Sequence, residues 1–437
     1  MSSGGRDRGR PGVAIYLLPA VVGGGWGDLE EVLAVGRQLV ARGRPVRYYR
    51  AAGRPPPRGL PGPWRWPRCD RPERPGPPGT PALTVTPSWG LSAAPEANGP
   101  WSREVGEIEA IHGAGRTLHV SLEEFARTLT SRAAEAERLR EGGVPRRSIR
   151  PGRSFDRRSR FFHREFARYR GFDRPRVLHL FPTFRPDRAF AREFASAVMT
   201  GPIPADPPGP RRSPPPSGAR RWLWYASPSS AERLAARVRA GLADAQPPIR
   251  LRVVSPRPWR SSEGIDLFVG PLPGPRWRSE WDRSELRIVT GSRTLLEALQ
   301  DGRPFLYFNG IRGEGRRVRR HRPEKIARLL EAARTAGVAQ ELRRDLSDFA
   351  RGRRVEEVVR RAHQRRDGWA DFPDRWGFAG FPPPYRDPVE LIDRLAEGLA
   401  AEPDAARWVA RVRAAAPGRR HASGGAATSS APEVILY

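Results

Sequence analysis

The run Gly201-Pro202-Ile203-Pro204-Ala205-Asp206-Pro207-Pro208-Gly209-Pro210, followed by Pro214-Pro215-Pro216, divides the 437-residue chain near its middle. Proline has no amide N–H to give a ladder, and its ring blocks helix continuation. Neither a central strand nor a helix runs through this stretch, so each side must build and cover its own layers. Each side is long enough to bury a separate core. A linker over residues 196–220 is therefore expected.

Both sides alternate apolar runs with helical periodicity. Val13-Ala14-Ile15-Tyr16-Leu17-Leu18 is the continuous apolar run that a parallel strand covered on both faces requires. It leads into Gly23-Gly24-Gly25-Trp26-Gly27 and a helix expected over 28–39, where Leu29, Val32, Leu33, Val35, Gly36 and Leu39 recur at helical spacing and Gly43 ends the helix. A strand over 46–49 completes a strand-helix-strand unit. Further strands are expected at 83–85, 117–120 and 177–180, with helices at 122–140 and 158–169. Beyond the linker the pattern predicts strands over 222–225, 249–254, 265–269, 286–290 and 305–308, with helices over 231–242, 294–300 and 323–335. Two more helical stretches, 355–366 and 388–400, follow.

The expected division is a flexible leader over 1–11, a first α/β domain over 12–195 with a proline-rich loop at 55–81, the linker, and a second α/β domain over 221–380. Helices over 387–414 and a disordered tail over 415–437 complete it. Two parallel sheets joined in this way place their carboxyl ends on either side of a cleft, where ligands bind in such folds.

The formal net charge of +30 points toward anionic partners. Yet Lys325 is the only lysine, and an Arg-dominated chain rich in Ala, Gly and Pro is what a GC-biased coding sequence produces. The basic runs 146–160, 312–322 and 351–366 remain candidate anion sites. No groove-reading motif, zinc knuckle or regular aromatic platform accompanies them, so specific nucleic-acid binding is not expected. Cys69 is the single cysteine, which excludes an intrachain disulfide and a thiolate metal cluster. The apolar stretch 13–22 is broken by Pro19 and too short to span a bilayer. A cytoplasmic protein is expected, with its arginines able to make peripheral contact with an anionic membrane.

Three turns converge on the expected cleft. One is Gly23 through Asp28, and another is Ser227-Pro228-Ser229-Ser230. The third opens Gly291-Ser292-Arg293-Thr294-Leu295-Leu296-Glu297-Ala298, which runs on to Gly302-Arg303-Pro304. A strand that stops at Gly291 and feeds a helix from Ser292 aims several backbone N–H groups and the positive helix end at one spot, which suits a phosphate. Glu297, one to two turns further on, could accept hydrogen bonds from a pair of sugar hydroxyls. An ordinary strand-turn-helix unit, with capping serines and a solvated glutamate, has the same pattern.

The segment 23–36, Gly23-Gly24-Gly25-Trp26-Gly27-Asp28-Leu29-Glu30-Glu31-Val32-Leu33-Ala34-Val35-Gly36, resembles the N-terminal glycine-rich loop and first helix of the lipid II-forming GlcNAc transferase group. The Gly291 to Pro304 segment resembles the C-terminal donor motif of the wider GT-B superfamily of sugar-nucleotide glycosyltransferases. That resemblance implies two Rossmann-like parallel-sheet domains facing a cleft, and transfer of a sugar from a nucleotide diphosphate to a hydroxyl acceptor, without a cofactor or bound metal. By the resemblance, Glu297 would bind the ribose, while Gly291, Ser292, Arg293 and Thr294, with Ser227, Ser229 and Ser230, would cradle the diphosphate. Gly24, Gly25 and Gly27 would let the loop approach the acceptor or the donor phosphate, and Glu314 could contact the donor sugar.

In the related transferases a histidine follows the glycine-rich loop, whereas this chain has Asp28. An aspartate can deprotonate the acceptor hydroxyl, so Asp28 is a candidate base as well as a candidate helix cap. His112, in His112-Gly113-Ala114-Gly115, is a weaker candidate for an acceptor-side loop. Two other readings stay open: a sugar-nucleotide epimerase of the same fold, and a non-catalytic Arg-rich protein that binds nucleic acid or a membrane surface.

Overall fold

The structure is a computed structural model that describes residues 12–18, 27–49, 79–87, 102–122, 175–182, 197–203, 220–226, 230–255, 258–259, 264–270, 272, 274–301, 304–308, 311–312, 319–320, 329–330, 333–334, 337–364 and 381–417. Contacts divide the chain into two compact units. Described residues up to Ile203 and from Phe381 onward form the first, and those from Arg220 to Gln364 form the second.

The first unit holds a six-stranded, wholly parallel sheet: β1 (Ala14–Leu17), β2 (Val46–Tyr48), β3 (Ala82–Pro87), β4 (Thr117–Leu122), β5 (Val177–Pro182) and β6 (Ala197–Thr200), in the order β2-β1-β3-β4-β5-β6. Helix α1 (Gly27–Ala41) crosses from β1 to β2, and α2 (Ser102–His112) crosses from β3 to β4. These crossovers run in opposite directions along the sheet, so right-handedness puts α1 and α2 on opposite faces.

The two faces differ in chemistry. Leu17, Leu83, Val85, Leu118, Val120, Leu122, Leu178, Leu180 and Val198 make one of them apolar and fully buried. On the α2 face the same strands present Tyr16, Thr84, Thr86, His119, Ser121 and His179, all buried. Polar groups taken out of water need partners: His119 Nε2 lies 2.9 Å from Glu109 Oε1 of α2, and its Nδ1 lies 2.7 Å from the Thr84 hydroxyl on the neighbouring strand β3.

The second unit holds a five-stranded parallel sheet: β7 (Arg220–Tyr225), β8 (Ile249–Ser255), β9 (Ile265–Val269), β10 (Leu286–Val289) and β11 (Phe305–Tyr307), in the order β11-β10-β7-β8-β9. Its helices are α3 (Ser230–Leu242), α4 (Gly274–Asp282), α5 (Ser292–Asp301), α6 (Gln340–Ala350) and α7 (Val355–Gln364). A short antiparallel pair, β12 (Ile311–Arg312) with β13 (Arg319–Arg320), follows β11. The α/β architecture of two parallel, helix-covered sheets is thus as expected from the alternation.

The last helices, α8 (Pro388–Ala401) and α9 (Ala405–Ala415), return to the first unit. Val389, Leu391, Ile392, Leu395, Leu399, Trp408, Val409 and Val412 are buried in the same core as the apolar sheet face. At about 1.5–3 kcal/mol for each fully buried large apolar side chain, they form a substantial part of that core. Asp387 caps α8 by accepting from the Val389 N–H at 2.8 Å, with Pro388 at the first helical position, where its missing N–H costs nothing.

Three expected boundaries change. Ala197–Thr200, placed in the linker, form β6, and β7 begins at Arg220, the last residue of that linker. Ala416, placed in the tail, is buried in the first core. The end of the proline-rich loop is tied in, since Pro81 accepts from the Ala14 N–H at 3.0 Å. The helices expected at 122–140 and 158–169 lie almost wholly outside the described residues. Among the described residues, no helix is long and apolar enough to cross a membrane.

Candidate functional site

In each sheet the strand order reverses at one point, between β1 and β3 in the first and between β7 and β10 in the second. Crossovers diverge there to opposite faces and leave a crevice at the carboxyl ends of the two strands, where open α/β sheets bind ligands. In the second unit, the turns singled out in the sequence at 227–230 and 291–294 follow β7 and β10, the two strands flanking this point. Thr290 joins their ends by donating its hydroxyl to the Tyr225 carbonyl at 2.9 Å.

The start of α5 is built by its own side chain. The Gly291 N–H donates to Thr294 Oγ1 at 3.2 Å, and Oγ1 lies 3.3 Å from Gly291 O. The Leu295 N–H then makes the first helical bond, to Gly291 O at 3.1 Å. This is the return half of a capping box, with threonine reaching back from the third helical position. The Thr294 hydroxyl expected on a diphosphate is therefore engaged with Gly291, as is the Gly291 N–H. The N–H groups of Ser292, Arg293 and Thr294 have no carbonyl one turn back, and they carry the positive end of the helix.

Ser230 is the first residue of α3, so a second helix begins beside the first. Ser227 and Ser229 lie outside the described residues. Glu297 is half-buried on α5, about 7.5 Å along the axis from Ser292. Buried Leu295, Leu296, Ala298 and Leu299 around it fix the helix on the sheet. Glu314 falls between β12 and β13, outside the described residues.

An aromatic corner at the same edge was not foreseen. Tyr225, the last residue of β7, and Trp277, near the start of α4, are both half-buried, with ring centroids 5.8 Å apart and planes at 82°. Trp277 stacks obliquely on buried Trp281 at 5.4 Å. Arg287 locks that ring in place, its guanidinium 4.4 Å over the indole and its Nη2 donating to the Trp281 carbonyl at 2.7 Å. Burial pushes the Tyr225 phenol above its ordinary pKa, so it stays protonated and neutral at physiological pH. Right-handed crossovers put α4 and α5 on one face of this sheet and α3 on the other. Tyr225, Trp277, Glu297 and the amino end of α5 thus share a side. A signal for α4 existed in Trp277 and Trp281, four residues apart, but no longer apolar period surrounds them.

In the first unit, Gly27 and Asp28 are the first two residues of α1, which starts at the β1/β3 crevice. Asp28 thus stands inside the first turn, two places past the position a capping residue would take. Gly24 and Gly25 lie outside the described residues. His112 does not reach this crevice. It ends α2 at the opposite, amino-terminal edge of the sheet, 1% exposed, with Nε2 2.8 Å from the Tyr16 hydroxyl and Nδ1 2.8 Å from Thr80 O. Burial lowers its pKa, so the ring is neutral, donates to Thr80 and accepts from Tyr16. Its part is to seat α2 on the sheet, not to line an acceptor loop. Among the described residues, no group of three His, Cys, Asp or Glu side chains is placed to hold a metal ion.

No family model matches the chain, and no curated protein matches it. Among solved structures it is similar to a glycotransferase of kitacinnamycin, at 15% identity over 88% of this chain and 99% of the other, with a TM-score of 0.37. The spinosyn rhamnosyltransferase SpnG, solved with thymidine diphosphate, gives 12% identity over 88% and 100%, with a TM-score of 0.40. The glycosyltransferase SnogD from Streptomyces nogalater gives 14% over 88% and 98%, with a TM-score of 0.35. The architecture given above rests on the strand order and registers of this chain itself.

Proposed function

We propose that this protein is a GT-B glycosyltransferase that moves a sugar from a nucleotide diphosphate to a hydroxyl acceptor. The observation that carries this reading is the switch point of the second sheet. The two turns chosen from sequence as phosphate-friendly follow the two strands that flank it, and the Thr290–Tyr225 bond holds those strand ends together. In this reading the diphosphate lies on the N–H groups of Ser292, Arg293 and Thr294 and at the start of α3. The ribose hydroxyls bind the Glu297 carboxylate.

The chemistry needs a base and a stabilised leaving group. Asp28 takes the proton of the acceptor hydroxyl as its oxygen attacks the anomeric carbon. The bond from that carbon to the diphosphate oxygen breaks, and its electron pair leaves with the nucleotide diphosphate. Oriented amides and the end of a helix stabilise the growing negative charge without reorganising, which makes them effective in a dry site.

Thermal shift with uridine, guanosine and thymidine diphosphates tests the donor side. The parent protein should be stabilised by at least one of them, and Glu297→Ala should abolish that shift. A parent indifferent to every nucleotide diphosphate would sink the reading. On the acceptor side, Asp28→Asn should keep nucleotide binding and lose turnover, and full activity in that variant would leave Asp28 only a role at the helix start.

A further inference from the structure

We propose that residues 381–387 are a strap that fastens the point where the chain leaves the first sheet to the foot of α1, so that the two respond together. The inference concerns the first unit alone and does not depend on the glycosyl-transfer reading.

The exit side is held by backbone contact. Gly201, just past β6, donates its N–H to the Tyr385 carbonyl at 2.8 Å, and a Cβ at this position would lie 2.0 Å from the Arg386 carbonyl oxygen. Only glycine lets the departing chain lie this close to the returning one. Tyr385 is buried and donates its hydroxyl to the Val412 carbonyl at 2.9 Å, which ties the returning segment to α9.

The α1 side is held by charge. Asp387 uses one carboxylate oxygen to cap α8 and the other to accept from Arg42 Nη2 at 2.7 Å. Arg42 directly follows the last residue of α1. Arg44 reaches two further acids of α8, donating to Asp393 and Glu397 at 2.5 Å each. Two arginines after α1 therefore grip three acids along α8. Several charge-assisted bonds in one network hold better than isolated exposed pairs. At mid-helix, α1 has no slack either, because a Cβ on Gly36 would lie 2.5 Å from Leu17 Cδ1 and 2.6 Å from the Tyr48 hydroxyl. A disturbance at the foot of α1 is thus felt along the helix, up to the end that carries Gly27 and Asp28.

Native-state hydrogen exchange on the full chain tests the coupling. Asp387→Asn keeps a good helix cap and removes the charge that holds Arg42. The amides of residues 32–39 and 198–201 should exchange roughly tenfold faster, the effect of losing one charge-assisted bond. In an Arg42→Met background the same substitution should add nothing at 32–39. Arg394→Ala breaks the Arg394–Glu390 pair on the same helix and should act only near residue 390. Faster exchange in Asp387→Asn confined to residues 387–391, or full additivity with Arg42→Met, would overturn the strap.

Discussion

Gly398→Ala should destabilise the first unit, and the sign should reverse once the ring of Trp408 is removed. In an open helix interior, replacing glycine with alanine is favourable by about 1 kcal/mol. Gly398 is not open: a Cβ there would lie 2.5, 2.6 and 2.7 Å from Cζ2, Cη2 and Cε2 of Trp408. The indole has little room to retreat. It is 3% exposed, its Nε1 donates to the Glu402 carbonyl at 2.9 Å, and Arg411 covers its ring at 4.7 Å. Overpacking of this kind costs about 1–3 kcal/mol, and displacing the indole from Glu402 adds about 1 kcal/mol. Set against the propensity gain, the net loss is about 1–3 kcal/mol. In a Trp408→Leu background the obstructing atoms are gone, and the alanine should stabilise by about 1 kcal/mol, giving a coupling of about 2–4 kcal/mol. Urea unfolding of the parent, both single variants and the double variant measures this cycle. A stabilising Gly398→Ala in the parent, or the same penalty in both backgrounds, would refute the packing of α9 on α8.

Other perturbations follow from the same reasoning. Removing residues 381–437 uncovers the apolar face of the first sheet, so the truncated chain should lose cooperative unfolding of that unit, read by near-ultraviolet circular dichroism. His112 is held neutral by burial, with its folded pKa below the ordinary value near 6.5. Its contribution is therefore present at neutral pH and lost as pH falls below about 6.5, where the unfolded chain takes up the proton. The melting temperature of the parent should drop from pH 7 to 5, and His112→Gln should flatten that slope. Glu107 and Glu109 have lowered pKa values, the first through its bond from Tyr49 and the second through His119 and Arg176 against the opposing effect of burial. Their share is lost only below about pH 4.5, a separate window. Thr294→Val should cost about 1 kcal/mol by removing the cap on Gly291. Nucleotide diphosphate affinity should be largely kept, and its complete loss at unchanged stability would show that the hydroxyl itself holds the ligand.

The sequence carried the strands well because parallel strands covered on both faces are continuous apolar runs, and β1, β11 and the Trp222–Tyr225 part of β7 are of that kind. It carried two strand-to-helix turns as well, since Gly291 and Ser230 lie where a helix begins. What it hid were contacts between distant segments. Nothing in the apolar stripe of α8 says which sheet it covers, because a stripe of Val389, Ile392, Leu395 and Leu399 fits any apolar face. His112 read as a loop histidine because His112-Gly113 resembles a turn. The same glycine, with φ at 87°, is what ends α2, and Val105 and Ile108 with it were the available helix signal. The ring nitrogens then went to Tyr16 and Thr80, which lie far away in sequence.

Both sheets are doubly wound with a single switch point, but their strand orders and the groups at their crevices differ. At β7 and β10 the crevice combines oriented amides, a carboxylate one to two turns down α5 and two half-buried aromatic rings. In the proposed reading the amides meet the phosphates and the carboxylate meets the ribose. At β1 and β3 the neighbouring chemistry is a glycine start to α1, an acid in its first turn and a polar sheet face under α2. Of these, only the acid, Asp28, is proposed to meet a hydroxyl, since the polar face is buried under α2. In the glycosyl-transfer reading proposed above, the nucleotide diphosphate is assigned to the second sheet and the acceptor hydroxyl to the first. Asp28→Asn and Glu297→Ala should accordingly fail in different assays, the first in turnover and the second in binding. If both variants failed in binding alone, Asp28 would be part of the donor site, and this division of labour between the two sheets would be wrong.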